Sequence, residues 1–141
     1  MINTTAIWNA FNTAKKNGIQ FPKLHLGDYI FSPAGTQSKN AGAVYVKRAD
    51  TREYLGKIMI DGRFYYSTLT AAEILQIAEL VEHPGDAAVA YGRKTGVCSC
   101  CGRSLTNALS VQLGIGPICR EKYGWVAEIV TEAPAQLIDL E

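Results

Sequence analysis

The four cysteines of the 141-residue chain all fall in one short segment, at Cys98, Cys100, Cys101 and Cys119. Thiolates are strong ligands for soft metal ions, and two of them separated by two residues can bind one ion from a tight turn. In a secreted mini-protein the same residues would pair as disulfides. The N-terminus lacks the basic region and long apolar run of a secretory signal, so we predict a cytoplasmic protein whose cysteines bind metal.

The spacing of three of these cysteines is typical of a zinc site. Cys98 and Cys101 form a C-x2-C pair followed by a glycine, which relieves the backbone where it folds under the metal. The stretch 114–119 reads Gly-Ile-Gly-Pro-Ile-Cys. Its proline, Pro117, suits the first turn of a helix, and Cys119 in that turn would lie at the positive end of the helix dipole, which favours a thiolate. We therefore predict a structural Zn²⁺ site on Cys98, Cys101 and Cys119.

The fourth ligand stays open at this stage. A treble-clef finger usually takes it one turn along the helix, where this chain has Lys122 and Tyr123. Cys100 is the nearest remaining thiol, although consecutive cysteines on one ion strain the chain. His25, His83, an acidic residue or a water molecule are the other candidates. An open position would permit catalysis, but no general base is visible close to the cysteines, so we predict a structural site in a protein that is not an enzyme.

The same segment carries a family resemblance. From Thr95 to Cys119 the chain follows the pattern T-G-x-C-x-x-C-G-R-x-L-T-(x)3-S-(x)3-G-I-G-P-x-C. This resembles a small zinc-finger family found in uncharacterised phage, plasmid and actinobacterial proteins. The resemblance covers residues 91–125 and implies a zinc finger of bacteriophage or other mobile-element origin, with ligands at Cys98, Cys101 and Cys119. Cys100 is additional to this three-cysteine pattern.

The elements around the finger predict an α+β fold that begins with an amphipathic helix over Thr4–Lys16. One or two short strands follow between Ile19 and Phe31. A three-stranded antiparallel meander is expected from Ala43 to Ser67, with Asp61-Gly62 as a type I′ turn between two β-rich runs.

Helices are expected to cover this small sheet. Thr70 and Glu73 have the spacing of a capping box, which opens a helix ending near Glu82. Asp86 can cap a short second helix over 87–91, ended by Gly92.

We expect three segments along the chain. They are an α+β domain (1–90), a treble-clef-like zinc finger (91–125) and an acidic C-terminal tail (126–141). Within the finger, a short hairpin over Leu105–Leu113 should separate the C-x2-C turn from the helix that carries Cys119.

The charges of the finger and the tail have opposite signs. The tail contains acids and no base, whereas the finger region is basic, and basic segments can contact phosphate. The basic residues predicted to contact nucleic acid are Arg93, Lys94, Arg103, Arg120 and Lys122.

The predicted sheet also carries aromatic residues with cations interleaved, a surface that can stack unpaired bases. On strand alternation, about half of these aromatics should belong to the core instead. The aromatics are Tyr45, Tyr54, Phe64, Tyr65 and Tyr66, and the cations are Lys47, Arg48, Lys57 and Arg63.

Two functions fit these features. The first is a zinc-finger protein that binds nucleic acid, double- or single-stranded, through its basic finger. The second is a protein-interaction module that binds and modulates a host or phage polymerase, nuclease or defence protein, with zinc as a rigid support. No run of apolar residues is long enough for a transmembrane helix, so no membrane partner is expected.

Overall fold

The computed structural model describes residues 1–35, 37–106, 110 and 114–125, with the backbone alone at 117 and 118. The fold is α+β, as predicted. Helix α1 (Thr5–Lys16) precedes an antiparallel sheet, and helices α2 (Ala71–Glu82), α3 (Pro84–Thr95) and α4 (Pro117–Lys122) follow it. The strands are β1 (Leu24–Leu26), β2 (Tyr29–Pro33), β3 (Val44–Arg48), β4 (Tyr54–Ile58) and β5 (Phe64–Tyr66).

The sheet is larger than the predicted three-stranded meander. Its five strands lie side by side in chain order, so the two short strands near the N-terminus extend the same meander. One face carries the hydrophobic core, to which β1, β2 and β3 contribute alternate residues such as Leu24, Phe31 and Val46. Helix α1 adds Ile7 and Phe11 to this core, at the spacing expected for one helical face.

The turn between β4 and β5 differs from the type I′ turn predicted at Asp61-Gly62. A type I′ turn needs a positive φ at both of its central residues. Gly62 has a φ of 93°, but Asp61 has no positive φ, because Arg52 is the one residue other than glycine that has one in the described part of the chain. The N–H of Met59 donates to the carbonyl of Arg63 at 2.8 Å, and the N–H of Gly62 donates back to Met59 at 2.8 Å. The loop therefore has three residues with glycine in the left-handed position, which is the next most common hairpin class.

The two helices that follow the sheet meet at His83. The predicted capping box is present in α2, since Thr70 and Glu73 exchange side-chain and backbone hydrogen bonds. The predicted bounds of the next helix, 87–91, are wrong. Helix α3 begins at Pro84, where a proline fits the first turn, and it continues through Gly92 to end at Gly96, which has a φ of 73°.

Gly92 stays inside α3 because the helix passes against another part of the backbone there. A Cβ atom built on Gly92 would lie 1.9 Å from the carbonyl oxygen of Gly114. The absence of a side chain thus allows α3 to contact the chain just before α4. Helix α3 also runs continuously across the predicted boundary between residues 90 and 91.

None of the helices in the described part of the chain has both the length and the apolar character needed to cross a membrane.

Glu73 links the start of α2 to the sheet, and its hydrogen bonds predict that stability depends on pH. Its carboxylate accepts from the N–H of Thr70 at 3.0 Å and from Arg48 at 3.1 Å. These hydrogen bonds, that of Thr70 first, lower the pKa of Glu73 below its ordinary value of 4.5. The stabilisation is then present above that value and is lost as the pH falls through the lower, folded-state pKa.

We therefore expect Glu73→Gln to be less stable than the wild type at pH 7, with the difference shrinking below about pH 4.5. Urea unfolding at several pH values measures it. Glu79→Gln, a change at an exposed glutamate of the same helix, is the matched control. A stability gap for Glu73→Gln that does not change with pH would contradict this role.

Gly92 gives a second test. Alanine normally stabilises a helix interior by about 1 kcal/mol relative to glycine. At Gly92 we expect the opposite sign, because the new methyl group would overlap Gly114. Gly35→Ala is the control, since Gly35 is exposed and a Cβ atom there meets nothing within 4 Å. Thermal unfolding of both variants measures the effect, and a Gly92→Ala protein as stable as the wild type would refute the close approach.

Candidate metal centre

Three thiols converge at the end of α3 and the start of α4. The Sγ atoms of Cys98, Cys100 and Cys119 all lie within 4.8 Å of one another. Cys98 and Cys100 are buried and Cys119 is half-buried. Four sulfurs at about 2.3 Å from a tetrahedral ion would lie about 3.8 Å apart. The cluster could therefore hold a metal ion after small movements of its side chains.

The turn that carries Cys98 has the backbone form expected of a metal-binding knuckle. The N–H of Cys98 donates to the carbonyl of Arg103 at 2.9 Å, and the N–H of Gly102 donates to the carbonyl of Cys98 at 3.0 Å. Gly102 has a φ of 75°, which favours glycine at this point of the turn. The predicted role of this glycine in folding the chain is thus confirmed.

Backbone amides also point at the Cys98 sulfur. The N–H of Gly116 lies 3.5 Å from it, and the N–H of Cys101 donates to it as well. Such amide donors stabilise negative charge on a sulfur, and they orient it as the outer shell of a metal site does. No feature of the sequence predicted a donor from the residue before α4.

Hydrogen bonding among the thiols sets their protonation. Hydrogen bonds from Cys100 and then Cys119 lower the pKa of Cys98. Burial, above all, raises the pKa of Cys100. The hydrogen bond with Cys100 lowers the pKa of Cys119, but its contact with Cys98, burial and the charge on Cys98 together raise it to about 12. The arrangement therefore favours the thiolate of Cys98 over those of Cys100 and Cys119, and a divalent cation bound by the cluster would displace its protons.

The two adjacent cysteines lie differently in the structure. Cys101, predicted as a ligand from the C-x2-C spacing, has an exposed side chain, whereas Cys100, considered as the fourth ligand, lies in the cluster. Both residues line the same cavity of about 700 Å³, together with Cys98 and Cys119. Ligation by Cys101, which the C-x2-C spacing favours, stays a prediction.

Neither histidine joins the thiols, although both were considered as fourth ligands. The described residues form a single group of potential metal ligands, and it contains cysteines alone. The ring of His25 lies 6.0 Å from that of Tyr91, and burial, followed by the charges of Lys23 and Arg52, lowers its pKa. His83 ends α2 and precedes α3.

Ser99, between two of the clustered cysteines, fastens the turn to the sheet. Its side chain is fully buried and donates to the carbonyl of His25 at 2.7 Å. The N–H of His25 donates to the carbonyl of Ser99 at 2.8 Å. The turn thus occupies the free edge of β1, whose backbone groups would otherwise lack partners. No feature of the sequence predicted this contact between distant segments.

The end of α4 is fastened at a second place. The hydroxyl of Tyr123 lies 3.2 Å from both the N–H and the carbonyl oxygen of Lys23. Lys122 donates through its ammonium group to the carbonyl of Asn17, whose side-chain amide donates to the carbonyl of Lys122 at 2.9 Å. The segment that presents Cys119 is therefore attached both to the chain before β1 and to the end of α1.

The five basic residues predicted to contact nucleic acid fall into two groups. Arg93, Lys94 and Arg103 are exposed. Arg120 and Lys122 are half-buried, and Lys122 is engaged with α1. The Nε atom of Arg120 is buried with no hydrogen-bond partner among the described residues. The exposed group therefore presents its side chains at the surface.

Two predicted features lie wholly or mainly outside the described residues. They are the hairpin over Leu105–Leu113 and the acidic tail 126–141.

A family model described as a family of unknown function, DUF6011, matches residues 88–124. The match covers the end of α3, the cysteine segment and α4, and it leaves α1, the sheet and α2 outside. Comparison with curated proteins and with solved structures gave no match. The chain is thus similar to this family over the metal-centre segment.

Proposed function

We propose that the chain is a zinc-finger protein in which thiolates hold one structural Zn²⁺ and exposed basic residues around it contact nucleic acid. The observation that carries the metal proposal is the thiol cluster of Cys98, Cys100 and Cys119, within 4.8 Å of one another on a turn with amide donors. Sulfur ligands in a tetrahedral arrangement favour zinc among the common divalent ions.

The fourth ligand in this proposal is Cys101. It lines the cavity shared by the other three thiols, and its own N–H already donates to Cys98. Its exposed side chain would have to turn inward to complete four sulfurs around the ion, and ligation by the consecutive Cys100 and Cys101 would strain the turn. The turn would then supply ligands from one side of the ion and the short helix α4 from the other, as in a treble-clef-like finger.

Four protein ligands make the proposed site structural. A catalytic zinc keeps a coordination position open for water or substrate, whereas a closed four-sulfur site has none. The ligand group in the described part of the chain also contains no histidine or carboxylate to act as a general base. We therefore propose that the finger binds a partner and performs no reaction.

Nucleic acid is the proposed partner because the exposed cations lie on both sides of the cysteine turn. Arg93 and Lys94 are in the last turn of α3, and Arg103 follows the turn itself. A metal that fixes the turn would hold these charges at set positions, where they can neutralise phosphates. The half-buried pair at Arg120 and Lys122 serves the packing of the finger in this account.

A protein partner is the second candidate, and one observation favours it. Phe21 is 82% exposed and lies at the thiol-lined cavity beside Ile19 and Leu105. An exposed aromatic ring next to other apolar groups can anchor a protein interface. Under this candidate the zinc supports an apolar contact with a phage or host protein, and binding tolerates salt.

The zinc proposal predicts about one equivalent of zinc in the purified protein and a lower melting temperature after chelation. Cys98→Ser and Cys119→Ser should each lose most of the zinc, because both residues lie in the central thiol cluster. Metal analysis and thermal unfolding measure the two effects. Protein with well under one equivalent of zinc, and a melting temperature unchanged by chelator, would refute the proposal.

Cys100→Ser and Cys101→Ser form a matched pair, since they make the same change at adjacent positions. A four-sulfur site predicts weaker zinc binding in both variants, measured by competition with a chromophoric chelator. Full affinity in one of them would exclude that cysteine as a ligand.

The nucleic-acid proposal predicts binding that weakens steeply between about 50 and 200 mM salt, owing to counterion release. Arg103→Glu and Lys94→Glu should each weaken binding to double-stranded oligonucleotides and reduce the salt slope by about 1. Fluorescence anisotropy measures both quantities. Lys39→Glu, a change at an exposed lysine of the β2–β3 loop, is the control and should have a smaller effect.

Absence of binding at the lowest salt would overturn the nucleic-acid proposal. Salt-tolerant capture of one protein, lost in Phe21→Ala, would establish the second candidate instead.

A further inference from the structure

Three tyrosines and two lysines share the sheet face opposite the hydrophobic core. Across the strands, Tyr45 of β3 pairs with Lys57 of β4, which pairs with Tyr65 of β5. In the next row, Lys47 of β3 pairs with Tyr54 of β4. Paired residues on neighbouring strands project to the same side of a sheet. We call these five residues the tyrosine face.

An irregularity in the sheet brings Tyr54 onto this face. The register between β3 and β4 shifts after Val46, so Leu55 becomes the extra residue of β4 and its side chain is buried. Tyr54 then lies beside Lys47, and its ring centroid is 6.1 Å from that of Tyr45. Without the shift, strict alternation would place Tyr54 on the core side.

The tyrosine face is not needed for the core. Its three tyrosines belong neither to the buried cluster nor to the partly buried residues packed against it. Tyr54 and Tyr65 are 53% and 50% exposed. Large aromatic side chains left open on a sheet are a surface that a partner can cover.

Polar contacts hold these side chains in place. The ammonium group of Lys57 lies 5.9 Å from the centre of the Tyr65 ring and donates to the side-chain oxygen of Asn40 at 2.9 Å. The side-chain amide of Asn40 lies 3.4 Å from the Tyr45 hydroxyl. Rings held before binding lose less conformational entropy when a partner arrives.

The charges on and beside the face favour an anionic partner. Lys47 and Lys57 lie between the rings, and Arg63 lies near Tyr65. Asp61 pairs with Arg63 at 3.3 Å and offsets that one charge. Aromatic faces with lysines between them match a chain that alternates flat bases with phosphates, provided that the bases are unpaired.

We propose that the tyrosine face binds single-stranded nucleic acid, with bases stacked on Tyr54 and Tyr65 and phosphates near Lys47 and Lys57. This proposal extends the nucleic-acid binding proposed for the finger, but it uses none of the finger residues. Either of the two proposed sites can therefore be refuted without refuting the other. Unpaired DNA and unpaired RNA share the chemistry that the face recognises.

The test compares three labelled probes of fifteen nucleotides by fluorescence anisotropy at low salt. They are oligo-dT, oligo-U, and an abasic chain with the same number of phosphates. Stacking predicts that the abasic chain binds at least about fivefold more weakly than oligo-dT, since each stacked base contributes a factor of about five to about a hundred. The ratio of oligo-dT to oligo-U affinity identifies which nucleic acid the face prefers.

Variants locate the stacking. Tyr54→Leu and Tyr65→Leu should each weaken oligo-dT binding about fivefold or more, whereas Tyr54→Phe should retain it because the ring is kept. Phe21→Leu is the control, a change at an exposed aromatic residue beside the finger. Unchanged melting temperatures show that the variants are folded.

Equal affinity for oligo-dT and the abasic chain would overturn the proposal, since phosphates alone would then account for binding. A loss in Phe21→Leu with none in Tyr54→Leu or Tyr65→Leu would also overturn it, by placing the stacked bases at the finger. Failure of Arg103→Glu to affect double-stranded binding, with the tyrosine variants behaving as expected, would refute the finger site and leave the sheet site standing.

Discussion

The position of the candidate metal centre depends on the pairing of Ser99 with His25. Two hydrogen bonds, at 2.7 and 2.8 Å, join these residues, and Ser99 lies between Cys98 and Cys100 in the chain. A buried serine and an edge strand each need partners for their polar groups, and this contact satisfies both. The thiols are thereby held against a sheet whose own stability comes from its core. The proposed finger is thus built onto the sheet and is not an appendage on a linker.

The protonation of the clustered thiols affects how the cluster would bind a metal. Hydrogen bonds from two thiols and two amides lower the pKa of Cys98, whereas burial raises that of Cys100. At Cys119 the hydrogen bond with Cys100 lowers the pKa, but the contact with Cys98 and burial raise it overall. A divalent cation counters these increases, because each sulfur then faces a positive charge. In our account the metal therefore stabilises the folded finger, and the attachments at Ser99 and Tyr123 transmit that stability to the sheet.

The structural features that the sequence predicted are those set by near neighbours. The capping box of Thr70 and Glu73, the apolar face of α1 and the turn at Gly102 all depend on residues within a few positions of one another. Contacts between distant segments were missed. The Ser99–His25 pair, the approach of Gly92 to Gly114 and the register shift that exposes Tyr54 each depend on how separate elements pack.

The orientation of the adjacent cysteines also depends on contacts between distant segments. Spacing alone favoured Cys101, because a C-x2-C pair followed by glycine is a common ligand pattern. The side chain that points inward depends on how the turn is fixed to β1, and here that is Cys100. The tyrosine face was predicted in part: strand alternation predicted that only about half of the aromatic residues point away from the core, but the placement of Tyr54 required the register.

X-ray absorption at the zinc edge of the purified protein tests the central claim most directly. A four-sulfur site predicts a first shell of sulfur alone, at about 2.3 Å from the metal. Nitrogen or oxygen ligands at about 2.0–2.1 Å in the first shell, or protein that contains no zinc, would contradict it.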